Sequence, residues 1–389
     1  LKEDDMSRTA ALARIGLAAF VAAAWGLTGA ARAADPRSYL ETVRHHSLRT
    51  STIAENGDTN PYALVVAPVS AGRIHQGDVL VDNFNNISNL QGTGTTIVDY
   101  NPSTRQFFQL ARLPSKLPQC PGGVGLTAAM AMLKTGWLVV GSTPSTDGTT
   151  RTLGPGALLV LDPDGRLVDT WTGPDISGPW GNIALIDRGT TATLFVSMAG
   201  FGVPGPEVRD PATGFPVTVR KATVLRLDLS ISDDKPPVIT GRTVVANGLS
   251  QRADKDAFLI GPTGLVLGPN DTLFASDALA NEIIAIPDAT TRKTSAGLGR
   301  VVTKGGLLHR PLAMTMAPNG HLLVCNGNNG QLVEVNPATN KQVCAQWVDT
   351  DQAQNPPGNG DLFGIALTPD GKALYYVEDD MNTLMEASR

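Results

Sequence analysis

Apolar residues along this chain come in short runs separated by Gly, Pro, Asn and Asp. One run-turn-run phrase recurs. It reads Gly-Pro-Thr-Gly-Leu-Val-Leu-Gly-Pro-Asn-Asp-Thr-Leu-Phe-Ala-Ser-Asp over 261–277 and Arg-Pro-Leu-Ala-Met-Thr-Met-Ala-Pro-Asn-Gly-His-Leu-Leu-Val-Cys-Asn over 310–326. A third copy, Asp-Leu-Phe-Gly-Ile-Ala-Leu-Thr-Pro-Asp-Gly-Lys-Ala-Leu-Tyr-Tyr-Val-Glu-Asp, occupies 361–379. Each copy predicts a strand, a tight turn and a second strand ending on a polar residue. A spacing of about 50 residues marks an array of small antiparallel sheets. Past the N-terminal segment no stretch sustains helical periodicity, and of the architectures left to a strand-only chain the repeat selects a propeller.

Counting the same phrase backwards gives six units. Their inner strands are expected to start at Asn60-Pro61-Tyr62-Ala63-Leu64, Pro121-Gly122-Gly123-Val124-Gly125-Leu126, Gly178-Pro179-Trp180-Gly181-Asn182-Ile183, Gly261-Pro262-Thr263-Gly264-Leu265, Arg310-Pro311-Leu312-Ala313-Met314 and Asp361-Leu362-Phe363-Gly364-Ile365. The last unit stops at Arg389, directly after its third strand. A β-rich segment, 47–54, precedes the first unit and has no unit of its own. An open ring would leave unpaired edges at both ends. The N-terminal strand is therefore expected to complete the last blade of a six-bladed β-propeller spanning 45–389.

Strand order also sorts the loops by face. Lead-in loops and the loops between second and third strands share one rim, the top. The long loops 83–95, 142–156 and 199–221 all fall there, together with the link 247–260. Long loops bind or shield more often than they merely connect. The top of blades 1 to 4 is the expected working surface.

The first residues read differently. Lys2, Arg8 and Arg14 precede an Ala-rich apolar run over 15–27, and Ala31-Arg32-Ala33 fits a small-x-small cleavage site. Residues 1–33 are read as an export signal, with 1–5 as upstream translation ahead of Met6 and 34–44 as a lead into the propeller. A secreted or periplasmic protein is expected, with no membrane span, because the apolar run is short for one. Without that segment the balance is 27 basic to 33 acidic groups, or −6. A mildly acidic domain offers no footprint for nucleic acid. The cysteines, Cys120, Cys325 and Cys344, are expected to be unpaired. The last two sit two strands apart in one sheet, beyond disulfide reach.

The three C-terminal copies resemble the NHL repeat of six-bladed propellers, whose phrase is Pro-x-Gly-aliphatic, then Pro-Asp/Asn-Gly, then a strand ending in Asp or Asn. The wider group includes binding modules, lyases and the SMP-30/gluconolactonase hydrolases. In the hydrolases the slot between Pro and Gly looks to carry Asn and Asp that hold an axial Ca²⁺. Here the slots hold Tyr62, Gly122 or Gly123, Trp180, Thr263, Leu312 and Phe363, none of them a carboxylate or amide. Trp180 and Phe363 would either stack on a ligand or plug the axis.

Polar candidates lie instead at the second-strand ends. Asn83, Asp277 and Asn326, with Asn60, Trp180 and Phe363, form the expected ligand-binding set. Asp82, Asp277 and Glu378 form the candidate metal set, for Ca²⁺. The same Asn and Asp side chains would equally cap their own turns. Of the histidines, only His309 falls near a top lead-in loop, and Arg209, Arg220 and Lys221 lie in or beside the longest top loop. The expected function is recognition of a polar small molecule, glycan or protein through the top face. The rival is a metal-dependent hydrolase or lyase with its site at the top of the axial tunnel.

Overall fold

The structure is a computed structural model and describes residues 37–389 apart from Pro121 and Asp233. The export-signal reading over 1–33 lies outside these residues. Six antiparallel sheets form the six blades of a propeller. The inner strands are Thr59–Val66, Leu126–Met132, Ala184–Asp187, Pro262–Leu267, Pro311–Met316 and Leu362–Leu367. The ring closes by strand pairing between N- and C-terminal segments within blade 6. His45–Ser51 is the outermost strand of blade 6 and pairs antiparallel with Thr383–Ser388. His45 lies opposite Ser388 and Ser51 opposite Thr383, and the Arg49 guanidinium reaches Glu386 at 2.5 Å. Among the described residues no helix is long and apolar enough to cross a membrane.

From Arg37 onward the lead is part of this closure. Ser38 to Leu40 dock on Glu334, in the third strand of blade 5. Glu334 is fully buried and accepts Ser38 Oγ at 2.7 Å and the backbone N–H groups of Tyr39 and Leu40, each at 2.9 Å. Asn319 Nδ2 at 2.8 Å and His321 Nδ1 at 2.6 Å also meet it. Burial alone would raise the pKa of Glu334, but these hydrogen bonds outweigh it and hold the carboxyl below its usual range. His46 is half-buried rather than solvated, edge-on to Tyr376 with its Nδ1 3.1 Å from the phenol oxygen.

Two expectations shift. In blade 2 the inner strand starts at Leu126, which stands opposite Ser142 as Pro61 stands opposite Asn83. Thr127, not Gly122 or Gly123, therefore occupies the slot. The link 247–260 is mostly strand. Blade 3 carries a long hairpin, Val219–Ser232 and Lys235–Asp254, and Phe258–Ile260 folds back onto its end to make a fifth strand. All three cysteines are free, with Cys120 and Cys325 buried and Cys344 half-buried.

Candidate functional site

The Pro-x-Gly phrase works by close approach. In five of the six blades the inner strand bulges at the slot, where two or more of its residues face one on the second strand. The small residue after the slot lets the backbone touch the neighbouring blade. A Cβ on Gly181 would overlap the carbonyl of Thr263, one on Gly264 would overlap that of Leu312, and one on Gly364 would stand 2.7 Å from that of Tyr62. The bulge also leaves an N–H without a ladder partner, and the second strand supplies one. Asp82 Oδ1 accepts Ala63 N at 2.8 Å and Ser276 Oγ accepts Gly264 N at 2.6 Å, and in blade 3 Ser197 Oγ accepts Gly181 N at 3.0 Å.

Slot side chains converge on the axis and fill it. Tyr62 stacks on Phe363 at 3.8 Å and on Phe84 at 4.5 Å, and meets Trp180 edge-on at 5.9 Å. Phe258, brought in by the extra strand of blade 3, packs against Phe84 at 5.5 Å and Trp180 at 6.2 Å. All five rings are among the most deeply buried side chains of the protein. Trp180 and Phe363 thus form a plug. Two residues past Trp180, Asn182 donates to Leu265 O at 2.8 Å and accepts Leu265 N and Met314 N, each at 3.2 Å, tying blades 3, 4 and 5. The axial slots do not fit a divalent cation. Two threonines apart, they present rings and an aliphatic chain where a hard ion needs about 6–8 oxygens.

Above the plug opens a cavity of about 620 Å³, lined among others by Asn60, Asn85, Asn89, Gln91, Asn382 and Asp379. Asp380, Lys255, Asp256 and Gly148 also line it, with Ile87 and Leu90 as its apolar part. Asn85 is buried and donates to Asn89 Oδ1 at 2.6 Å, while its own Oδ1 has no partner. Of the sequence-derived set, Asn60 lines this cavity. Asn83 is buried and donates to Thr52 O at 3.0 Å. Asp277 caps the N–H groups of Leu279 at 3.2 Å and Ala280 at 3.0 Å, and Asn326 accepts His309 N at 3.0 Å.

The three candidate metal carboxylates each have other occupations. Asp82 holds the bulge of blade 1, burial pushes its pKa well up, and its Oδ2 is unpartnered. Asp277 is a turn cap. Glu378 accepts Thr383 Oγ1 at 3.0 Å, and burial pushes its pKa up to about 7. Among the described residues the carboxylates that do meet are Asp349, Asp361 and Asp380, with oxygens within 4.8 Å of one another. Asp349 and Asp361 are buried, and each has an oxygen with no partner. Burial and the neighbouring acids push the Asp361 pKa up to about 8. Asp380 belongs both to this set and to the central cavity.

A second feature of the top face is backbone conformation. The residue before the inner-strand proline is left-handed in alternate blades: Asn60 at φ 67°, Gly178 at φ 59° and Arg310 at φ 58°. Glycine takes this shape freely and asparagine tolerates it, but for an arginine it costs on the order of 1–2 kcal/mol. Asparagines of the preceding blade stabilise it. Asn382 Oδ1 accepts Asn60 N at 2.7 Å, and Asn281 Oδ1 accepts Arg310 N at 3.0 Å.

The fold and its top cavities define a six-bladed propeller with a plugged hub and a polar mouth. No protein-family model matches the chain, and no curated protein matches it by sequence. Solved structures match it across nearly its whole length. A luciferin-regenerating enzyme aligns at TM-score 0.52 with 10% identity, over 89% of this chain and 95% of its own. A gluconolactonase from Xanthomonas campestris aligns at 0.51 with 13% identity, over 89% and 94%. The PQQ-bound aldose sugar dehydrogenase from Streptomyces coelicolor aligns at 0.52 with 16% identity, over 88% and 98%. At these identities the likeness is one of fold, shared with gluconolactonase-like propellers, and function has to be argued from the site.

Proposed function

We propose that this protein is an exported recognition module that binds a hydroxyl-rich small molecule or glycan in the cavity above the aromatic plug. The observation that carries the reading is Asn85. It is a buried amide in the wall of a cavity of about 620 Å³, with a carbonyl oxygen that lacks a partner. A buried acceptor without a donor costs about 1–3 kcal/mol, and a ligand hydroxyl would recover that cost. The amides around it, from Asn60, Asn89, Gln91 and Asn382, can both donate to and accept from hydroxyls, and the Asp379 carboxyl adds an acceptor. Titration calorimetry with neutral mono- and oligosaccharides tests this. Saturable binding that is lost in Asn85→Leu, with the melting temperature of that variant recorded, supports it. A flat response across the panel for the folded wild type rejects it.

The hydrolase reading rests on a different observation, the unpartnered oxygens of Asp349 and Asp361 beside Asp380. There a divalent cation would be held off the axis, at the seam of blades 5 and 6. Ester or lactone turnover that vanishes with chelator and returns with Ca²⁺ would favour it over pure recognition.

A further inference from the structure

Next to the amide-lined cavity, across Lys255 and Asp256, the charge reverses. Arg252 and Arg310 both line a cavity of about 300 Å³, together with Asn281, His309 and Asn328. Both also line an adjoining cavity of about 200 Å³ under the loop that carries Arg209 and Phe215. Arg252 sits on the extended outer strand of blade 3, where it pairs with Ile260, so its backbone is rigid. Its guanidinium lies 4.7 Å from the centre of the Phe215 ring. Among the described residues it has no hydrogen bond or ion pair, and its Nε is buried without a partner. Arg310 Nη2 is 3.2 Å from Asp254 Oδ2, so one of the two charges is met and the other is not. Arg310 is aimed here by the left-handed backbone described above, which Asn281 fixes through Arg310 N and, from its Nδ2, through Leu308 O at 2.8 Å.

We propose that this pocket is an oxyanion site, in which Arg252 and Arg310 receive the carboxylate or phosphate group of a small molecule. A planar guanidinium with free, forked donors matches a two-oxygen anion. The ring of Phe215 holds that plane in place before the anion arrives. Burial lowers the pKa of Arg252, the Asp254 carboxylate offsets part of that, and the charge of Arg310 adds to the lowering. The site borders the amide-lined cavity at Lys255 and Asp256, and the proposal does not depend on what binds there.

The test uses the full chain and the ¹⁵N signals of arginine Nε–H groups, with that of Arg252 assigned by its loss in Arg252→Lys. Sodium phosphate and sodium D-galacturonate are titrated at constant ionic strength, with D-galactose as the neutral control. We expect a saturating shift of the Arg252 signal with at least one anion and none with D-galactose. Saturation by galacturonate alone assigns the site to organic carboxylates, and by phosphate alone to phosphate groups. Affinity, followed calorimetrically, should fall about tenfold or more in Arg252→Lys, which keeps the charge and loses the fork. A shift that stays linear to about 50 mM for both anions overturns the proposal, because a built site saturates well below that. So does undiminished affinity in Arg252→Lys. Circular dichroism and the melting temperature of the variant separate lost binding from lost folding.

Discussion

Asn281 accepts the backbone N–H of Arg310 through Oδ1 at 3.0 Å, and Asn382 does the same for Asn60 at 2.7 Å. These asparagines occupy the same place in blades 4 and 6, in the turn between second and third strands, and both are themselves left-handed, at φ 55° and φ 53°. Each reaches into the following blade and fixes the residue that starts its inner strand. The repeat thus carries its own inter-blade fastener, and the residues so held are the ones that face the top cavities. Replacing Asn281 by Ala removes an acceptor and puts a residue with a Cβ and no side-chain hydrogen bond at positive φ. The expected loss is about 1–3 kcal/mol in a urea melt. Asn281→Gly, which restores the backbone freedom alone, should recover part of it.

Gly181 makes the sharpest packing prediction. Its Cα faces the carbonyl of Thr263 with no room for a methyl group. Gly181→Ala should cost more than about 4 kcal/mol, the range of severe core defects, and yield insoluble or molten protein. Gly214, with open space around its Cβ position and φ at 71°, should lose only about 1 kcal/mol on the same change. Expression and thermal melts of the pair compare the two directly.

Asp361 and Glu378 give stability a downward slope with rising pH. Their folded pKa values, about 8 and about 7, lie above the ordinary carboxylate range. The folded state therefore binds more protons than the unfolded one, and stability falls as pH climbs from about 4 to about 8. Melting temperature should drop across that interval. Asp361→Asn should flatten the drop and raise the melting temperature at pH 8. If the Asp349–Asp361–Asp380 set takes a cation, millimolar Ca²⁺ should do the same for the wild type at pH 8 and nothing for the variant.

Glu334 acts with the opposite sign. Its folded pKa is depressed, so its contribution is present above the ordinary glutamate value of about 4.3 and is lost as pH falls through the folded value. Glu334→Gln should cost about 2–4 kcal/mol, because hydrogen bonds to a charged, buried acceptor are the strong ones. It should also open the bond after Arg37 or Arg44 to trypsin, and mass spectrometry of a limited digest reads that cut.

The architecture was legible in the chain because it is repetitive. Turn residues recur at fixed offsets in blades 4 to 6, and a missing strand at one end matched a surplus at the other. Blade 2 was misplaced by a few residues because Pro121-Gly122-Gly123 imitates the Pro-x-Gly phrase, while the strand uses Leu126-Thr127-Ala128. The plug was half visible. Tyr62, Trp180 and Phe363 stood in the slots, but Phe84 comes from a second strand and Phe258 from a strand read as a loop. The acidic set escaped notice because Asp349 and Asp361 stand at opposite ends of one long connection and Asp380 comes from a separate turn, and only the fold brings the three together. Arg252 was hidden in the same misread link. Asn382 had a signal that went unused: it occupies the position of Asn281 one third of the ring away.

One property of the closure reaches back to synthesis. The strand His45–Ser51 is made long before its partner Thr383–Ser388. A nascent polypeptide leaving the ribosome must carry that early ribbon unpaired until the partner emerges, and a fault in the later segment is felt in the earlier one.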